Sequence, residues 1–107
     1  MSATVEDLYL MSNLPPSRTG LPFVVWISPK GHARHDIRVK VSPGPHPRDF
    51  VSVAVRPAVV VKEGRMKGGD LQLLKRWIEL NREALVDYWE GRIAYTEDVI
   101  ALVKGIE

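Results

Sequence analysis

Residues 68–92 read GGDLQLLKRWIELNREALVDYWEGR. Leu71, Leu74, Ile78, Leu85, Tyr88 and Trp89 recur at three- and four-residue steps, with Trp77 and Ala84 widening the stripe. A helical period gathers these positions on one side. Asp70, following Gly69, suits an N-cap, and Gly91 suits the left-handed position just past a helix C-terminus. The spacing therefore predicts a main helix over residues 70–90. Its other side carries Arg76, Glu79, Glu83, Asp87 and Glu90. Glu79, Glu83 and Asp87 follow one another at i, i+4, where like charges mildly destabilise an isolated helix. Such an acidic ridge is expected to face a basic surface, within the fold or on a partner. Asn81 falls inside the apolar stripe and is expected to hydrogen-bond a nearby backbone group.

Working outward, the segments before this helix carry a period of two. Ile37, Val39 and Val41 alternate with Arg38 and Lys40, and Val51, Val53 and Val55 form a second alternating set, the signature of half-buried strands. The run Leu21 to Ser28 is apolar on both faces and reads as a strand covered on both sides. Residues 58–62 resume a strand after Pro57, which excludes a two-residue primed hairpin and argues for an edge position. Ser28-Pro-Lys-Gly31, residues 42–49 and residues 63–69 are loops. Thr4 to Met11 reads as a short helix, Pro15 to Gly20 as a connector, and Thr96 to Val103 as a capped helix, although its β-branched content leaves a strand open.

Short connections between strands require antiparallel pairing. The expected fold is one α+β domain over residues 1–107, a small, mainly antiparallel β-sheet with one long C-terminal α-helix packed on one face. Its expected organisation is an N-terminal extension over 1–20, strands over 21–63, the main helix over 70–90 and a short final element over 96–105.

Composition narrows the functional classes. The chain has 107 residues, 45% hydrophobic and 26% charged, ordinary for one globular domain. It has no cysteine, so disulfides and thiolate zinc sites are excluded. Glu6 and Asp7 near the start do not resemble a secretory signal, and the apolar run Leu21 to Ile27 is too short to span a bilayer as a helix. The expectation is a soluble cytoplasmic protein that does not engage membranes.

The net charge of +2 conceals an asymmetry. Residues 18–67 hold ten bases against three acids, a net of +7, whereas residues 68–107 hold five bases against eight acids, a net of −3. One reading is that the two regions complement each other inside the fold. The other is that the basic stretch meets nucleic acid or an acidic partner.

Three histidines lie close in sequence, His32 and His35 in Gly31-His-Ala-Arg-His-Asp36, and His46 in the proline-rich loop. As metal ligands they lack the i, i+4 spacing of a zinc-binding helix, so no metal and no cofactor is assigned. His32, Arg34, His35 and Asp36 are also the types that a metal-independent RNA-cleaving site uses, histidine to move a proton and arginine to steady developing phosphoryl charge. Any basic loop offers these types, and the bland alternative is a set of solvated loop side chains. Trp26, Trp77 and Trp89 sit in apolar runs and read as core.

The helix block resembles a small bacterial family described as domain of unknown function 4160. The resemblance rests on residues 72–90, with Trp77, Leu80, Asn81, Arg82, Leu85, Trp89 and Glu90 at the family's helix positions, and on Val60-Val-Lys-Glu-Gly64-Arg-Met before it. It covers residues 58–92. Over His32 to Val41 the family's prolines between histidines are replaced by Ala33 and Arg34. The family has no established reaction, and its members resemble partners of a second small protein in toxin–antitoxin-like gene pairs. The resemblance thus implies a protein-interaction role.

The expected function is a non-enzymatic binding module whose partner is another small protein or a second copy. It would bind through an exposed strand edge or through Glu79, Glu83 and Asp87, with Arg38 and Lys40 as further candidates. The alternative is a nucleic-acid-associated protein or RNA-cleaving toxin using the basic His/Arg region.

Overall fold

The computed structural model describes residues 11–46 and 48–106. The helix expected over Thr4 to Met11 falls, except for Met11, outside them. The elements run β1 (Ser12–Leu14), α1 (Pro16–Thr19), β2 (Val24–Ile27), β3 (Arg38–Ser42), β4 (Val51–Ala54), β5 (Val60–Glu63), α2 (Gly68–Trp89) and α3 (Thr96–Leu102). The five strands form one sheet in sequence order, each antiparallel to the next. The α+β class follows directly. Three helices accompany the sheet among the described residues, where the sequence suggested one long helix and one undecided element.

Register sorts the side chains. Leu14, Val25, Val41 and Val51 form one cross-strand row, and Val39, Val53 and Val61 the next. Most of these are buried, and all except the partly buried Val51 and Val61 belong to the central core. The α2 residues Leu74, Trp77, Ile78, Leu85, Tyr88 and Trp89 share that core, and Val99 and Val103 complete it. Each large apolar side chain removed from water contributes about 1.5–3 kcal/mol, which is what holds a 22-residue helix whose intrinsic propensity alone would not suffice.

The opposite face carries the row Asn13, Trp26, Lys40, Ser52 and Glu63. Trp26 was expected in the core but lies here. It is still buried, meets Phe50 edge-on at 5.6 Å and donates from Nε1 to Ser42 Oγ at 2.7 Å.

Residues 12–14, expected within an N-terminal extension, form an edge strand, and the connector after them winds one helical turn. Pro57 lies in the connection between β4 and β5, so a turn separates two strands there. Asp70 is not the N-cap. The helix begins at Gly68 and Asp70 falls in its first turn, where its charge favours the positive end of the helix dipole. Gly91 does take the left-handed conformation, with Gly91 N–H donating to Tyr88 O and Arg92 N–H to Asp87 O. Thr96 does not cap α3, since its hydroxyl pairs with Tyr88 Oη at 2.8 Å.

Residues 103–106 close the structure as a strap. Asn81 Nδ2 donates to Trp77 O and Lys104 O, and its Oδ1 accepts Lys104 N–H at 2.7 Å. Ile106 N–H donates to Thr19 O at 2.8 Å. A Cβ at Gly20, whose φ is +78°, would lie 2.0 Å from Ile106 O, so the approach needs glycine there.

Candidate functional site

The loop after β2 folds back on the C-terminal end of α2. Lys30 N–H donates to Trp89 O at 3.1 Å, and Ala33 N–H to Lys30 O at 2.9 Å closes the turn. These bonds set the half-buried His35 ring against Trp89, stacked at 5.9 Å with the planes 22° apart. His35 Nδ1 lies 2.7 Å from Asp36 O, within reach to donate to that carbonyl.

Asp36 is engaged elsewhere. Arg56 grips its carboxylate with two bonds, Nε to Oδ2 at 2.8 Å and Nη2 to Oδ1 at 2.9 Å, and also reaches Glu90 Oε1 at 2.8 Å. The guanidinium, helped by Ile37 N–H, holds the Asp36 carboxyl at about 2, below its ordinary 3.8. A group so acidic stays ionised near neutrality and is a poor proton carrier there. His32, Arg34 and His46 are exposed. Among the described residues, no group of three or more His, Cys, Asp or Glu is placed to hold a metal ion.

Arg38 and Lys40 lie on the outward face of the sheet. Arg38 Nη1 sits 3.7 Å from Glu63 Oε1, and Lys40 Nζ stands 5.7 Å from the centre of the Phe50 ring. Other arginines serve the fold, Arg82 donating to Val55 O at 2.8 Å and Arg18 to Ile100 O. Within the basic stretch Arg18, Arg38 and Arg56 are thus engaged in the fold, and Arg56 reaches the acidic helix at Glu90.

The acidic ridge is narrower than its spacing suggested. Glu79 and Glu83 are exposed, but Asp87 is half-buried and its Oδ1 accepts Arg92 Nε at 2.7 Å. Beside it lies a groove between α2 and α3, lined by Leu80, Asn81, Glu83, Ala84, Leu102 and Lys104 together with Asp87. Leu80 is 48% exposed and Leu102 55%. The sequence reading did not assign these two leucines to a surface. The signal was that Leu80 falls off the core stripe yet shares an i, i+3, i+4 pattern with Glu83 and Ala84.

No protein-family model, curated protein or solved structure matches this chain. Among the described residues, no helix is long and apolar enough to cross a membrane.

Proposed function

We propose that this protein is a cytoplasmic binding module that docks a basic, apolar segment of a small protein partner in the groove between α2 and α3. The observation that carries this reading is the pair Leu80 and Leu102, both about half exposed on one groove beside Glu79 and Glu83. Single exposed leucines are ordinary, but two on one groove beside acids form a surface with both an apolar and a charged preference. A partner leucine or methionine would sit between them, and its lysines or arginines would meet Glu79 and Glu83, while Lys104 would disfavour a basic residue at that end. The sheet edges are weaker candidates. β1 has three residues, and β5 is short, irregular in register and preceded by Pro57, features that discourage strand addition. The resemblance to the family with paired small proteins favours the same kind of partner.

The test uses two synthetic helical peptides of matched hydrophobicity, one leucine–lysine and one leucine–glutamate, titrated into the full chain and followed by backbone amide shifts. The basic peptide is expected to move the Leu80, Glu83, Ala84 and Leu102 signals, and Leu80→Ser or Glu83→Lys to weaken binding tenfold or more. Equal response to both peptides, or shifts confined to the sheet, would overturn the reading. A dimer in light scattering that Leu80→Ser dissociates would replace the partner by a second copy.

A further inference from the structure

At the end of the sheet where α2 begins, a cleft of about 420 Å³ opens onto the edge of the core. Its floor is apolar. Phe23 and Val41 belong to the core, and Val51 and Met66 pack against it half-buried. Its rim is charged, with Arg65 and Lys67 on the β5–α2 loop, Asp70 in the first turn of α2 and Asp49 just before β4. We infer that this cleft binds a small zwitterion with an apolar body, of the size and chemistry of an apolar α-amino acid, at a site separate from the groove between α2 and α3.

The charges decide the class of ligand. Among the described residues, no side-chain hydrogen bond or ion pair engages Asp49, Arg65, Lys67 or Asp70. Two cations and two anions therefore border one space without neutralising one another. A plain anion there would meet Asp49 and Asp70, and a plain cation would meet Arg65 and Lys67. A molecule that carries both charges satisfies both pairs, its carboxylate accepting from the two bases and its ammonium donating to the two acids. The floor decides the body of the ligand. An apolar side chain laid on Phe23, Val41, Val51 and Met66 leaves water and extends the core. Met66 adapts this surface to side chains of different shape, because an unbranched thioether fills irregular space. Size agrees. Small-molecule sites commonly enclose about 300–1,000 Å³. A cleft of about 420 Å³ lies near the low end and suits a compact ligand rather than a folded partner. The backbone around it is set before any ligand arrives. A Cβ at Gly64 would lie 3.1 Å from Phe50 O, so the turn leading into Arg65, Met66 and Lys67 is pressed against the start of β4.

The test titrates the full chain with L-leucine, N-acetyl-L-leucine, L-leucinamide and glycine at constant ionic strength near neutral pH. The methyl signals of Val41, Val51 and Met66 report location. L-Leucine is expected to shift these signals. N-Acetyl-L-leucine lacks the ammonium and L-leucinamide lacks the carboxylate, and each is expected to bind about tenfold more weakly. Glycine keeps both charges without the apolar body and is expected to leave the methyl signals in place. Arg65→Gln, at an exposed position, is expected to weaken L-leucine about tenfold and to abolish its advantage over L-leucinamide. Asp49→Asn, also exposed, is expected to abolish the advantage over N-acetyl-L-leucine. Lys75→Gln, which removes a charge from α2 outside the cleft, is expected to change nothing. Unshifted methyl signals at tens of millimolar L-leucine would overturn the inference. So would equal binding of L-leucine and either of its singly charged derivatives, or an equal loss in Lys75→Gln. Arg65→Gln and Asp49→Asn probe opposite charges on separate loops, so either one decides if the other fails to fold.

Discussion

Arg56 joins three parts of the chain through one guanidinium, linking Asp36 after the β2–β3 loop and Glu90 at the end of α2 to its own position after β4. The Asp36 carboxyl is depressed to about 2 first by these hydrogen bonds and then by Ile37 N–H. A depressed carboxyl adds stability that is fully present above its ordinary value of 3.8 and is lost as pH falls through about 2. Asp36→Asn should therefore lower stability near neutrality and flatten the acid limb of the denaturation profile, so that the two proteins converge at the acid end. The pair is solvent-accessible, so the difference should be modest and shrink in high salt. A carbon-detected titration that places the Asp36 midpoint near 4 would refute the coupling. His35 illustrates what sequence reading cannot deliver at this scale. Its residue type marked it as a candidate, but its stacking partner is set by a backbone bond between a loop and a helix end that no local pattern encodes.

Elements with a long, consistent period were readable in advance. The Leu74, Ile78 and Leu85 stripe and the Val39 and Val41 alternation need only one repeated geometry, and both are buried as expected. β1 was not readable. Ser12-Asn-Leu14 is too short for any period and becomes a strand only because β2 offers it a partner. The start of α2 differs because Gly68 and Gly69 accept helical geometry once the core anchors the following turn, and Asp70 then stabilises from inside the helix. α3 resolved as a helix although it is β-branched, since Val99 and Val103 reach the same core from one side. The strap is an element of another kind, held by the carboxamide of Asn81. Asn81→Ala should cost about 1–3 kcal/mol, because Lys104 N–H loses its buried partner. Asn81→Asp should cost more, because a carboxylate oxygen would face the Trp77 and Lys104 carbonyls. Urea denaturation measures both, and faster hydrogen exchange at the Lys104 amide would place the loss at the strap. Equal stability of wild type and Asn81→Ala would refute this role.

On the scale of the whole molecule one core serves every element, from Leu14 on β1 to Val103 after α3. No part has a second core to retreat to, so damage at the centre should be felt everywhere. Ile78 is fully buried, and a carboxylate there would lose several kcal/mol of solvation against a total stability of order 5–15 kcal/mol. Ile78→Asp should abolish the cooperative thermal transition, and a native-like transition in that variant would refute the shared core. The charge asymmetry also takes its meaning at this scale. The basic stretch and the acidic helix do not simply face each other, since Arg56 meets Glu90 while Glu79 and Glu83 stay outside. The strap has a temporal consequence as well. As the chain is synthesised from its N-terminal side, Thr19 and Asn81 emerge well before Lys104 and Ile106, their hydrogen-bond partners. Until those residues arrive, Thr19 O and the Asn81 carboxamide lack their strap partners, so the seam between α1 and α2 closes only once the last residues of the strap have been made.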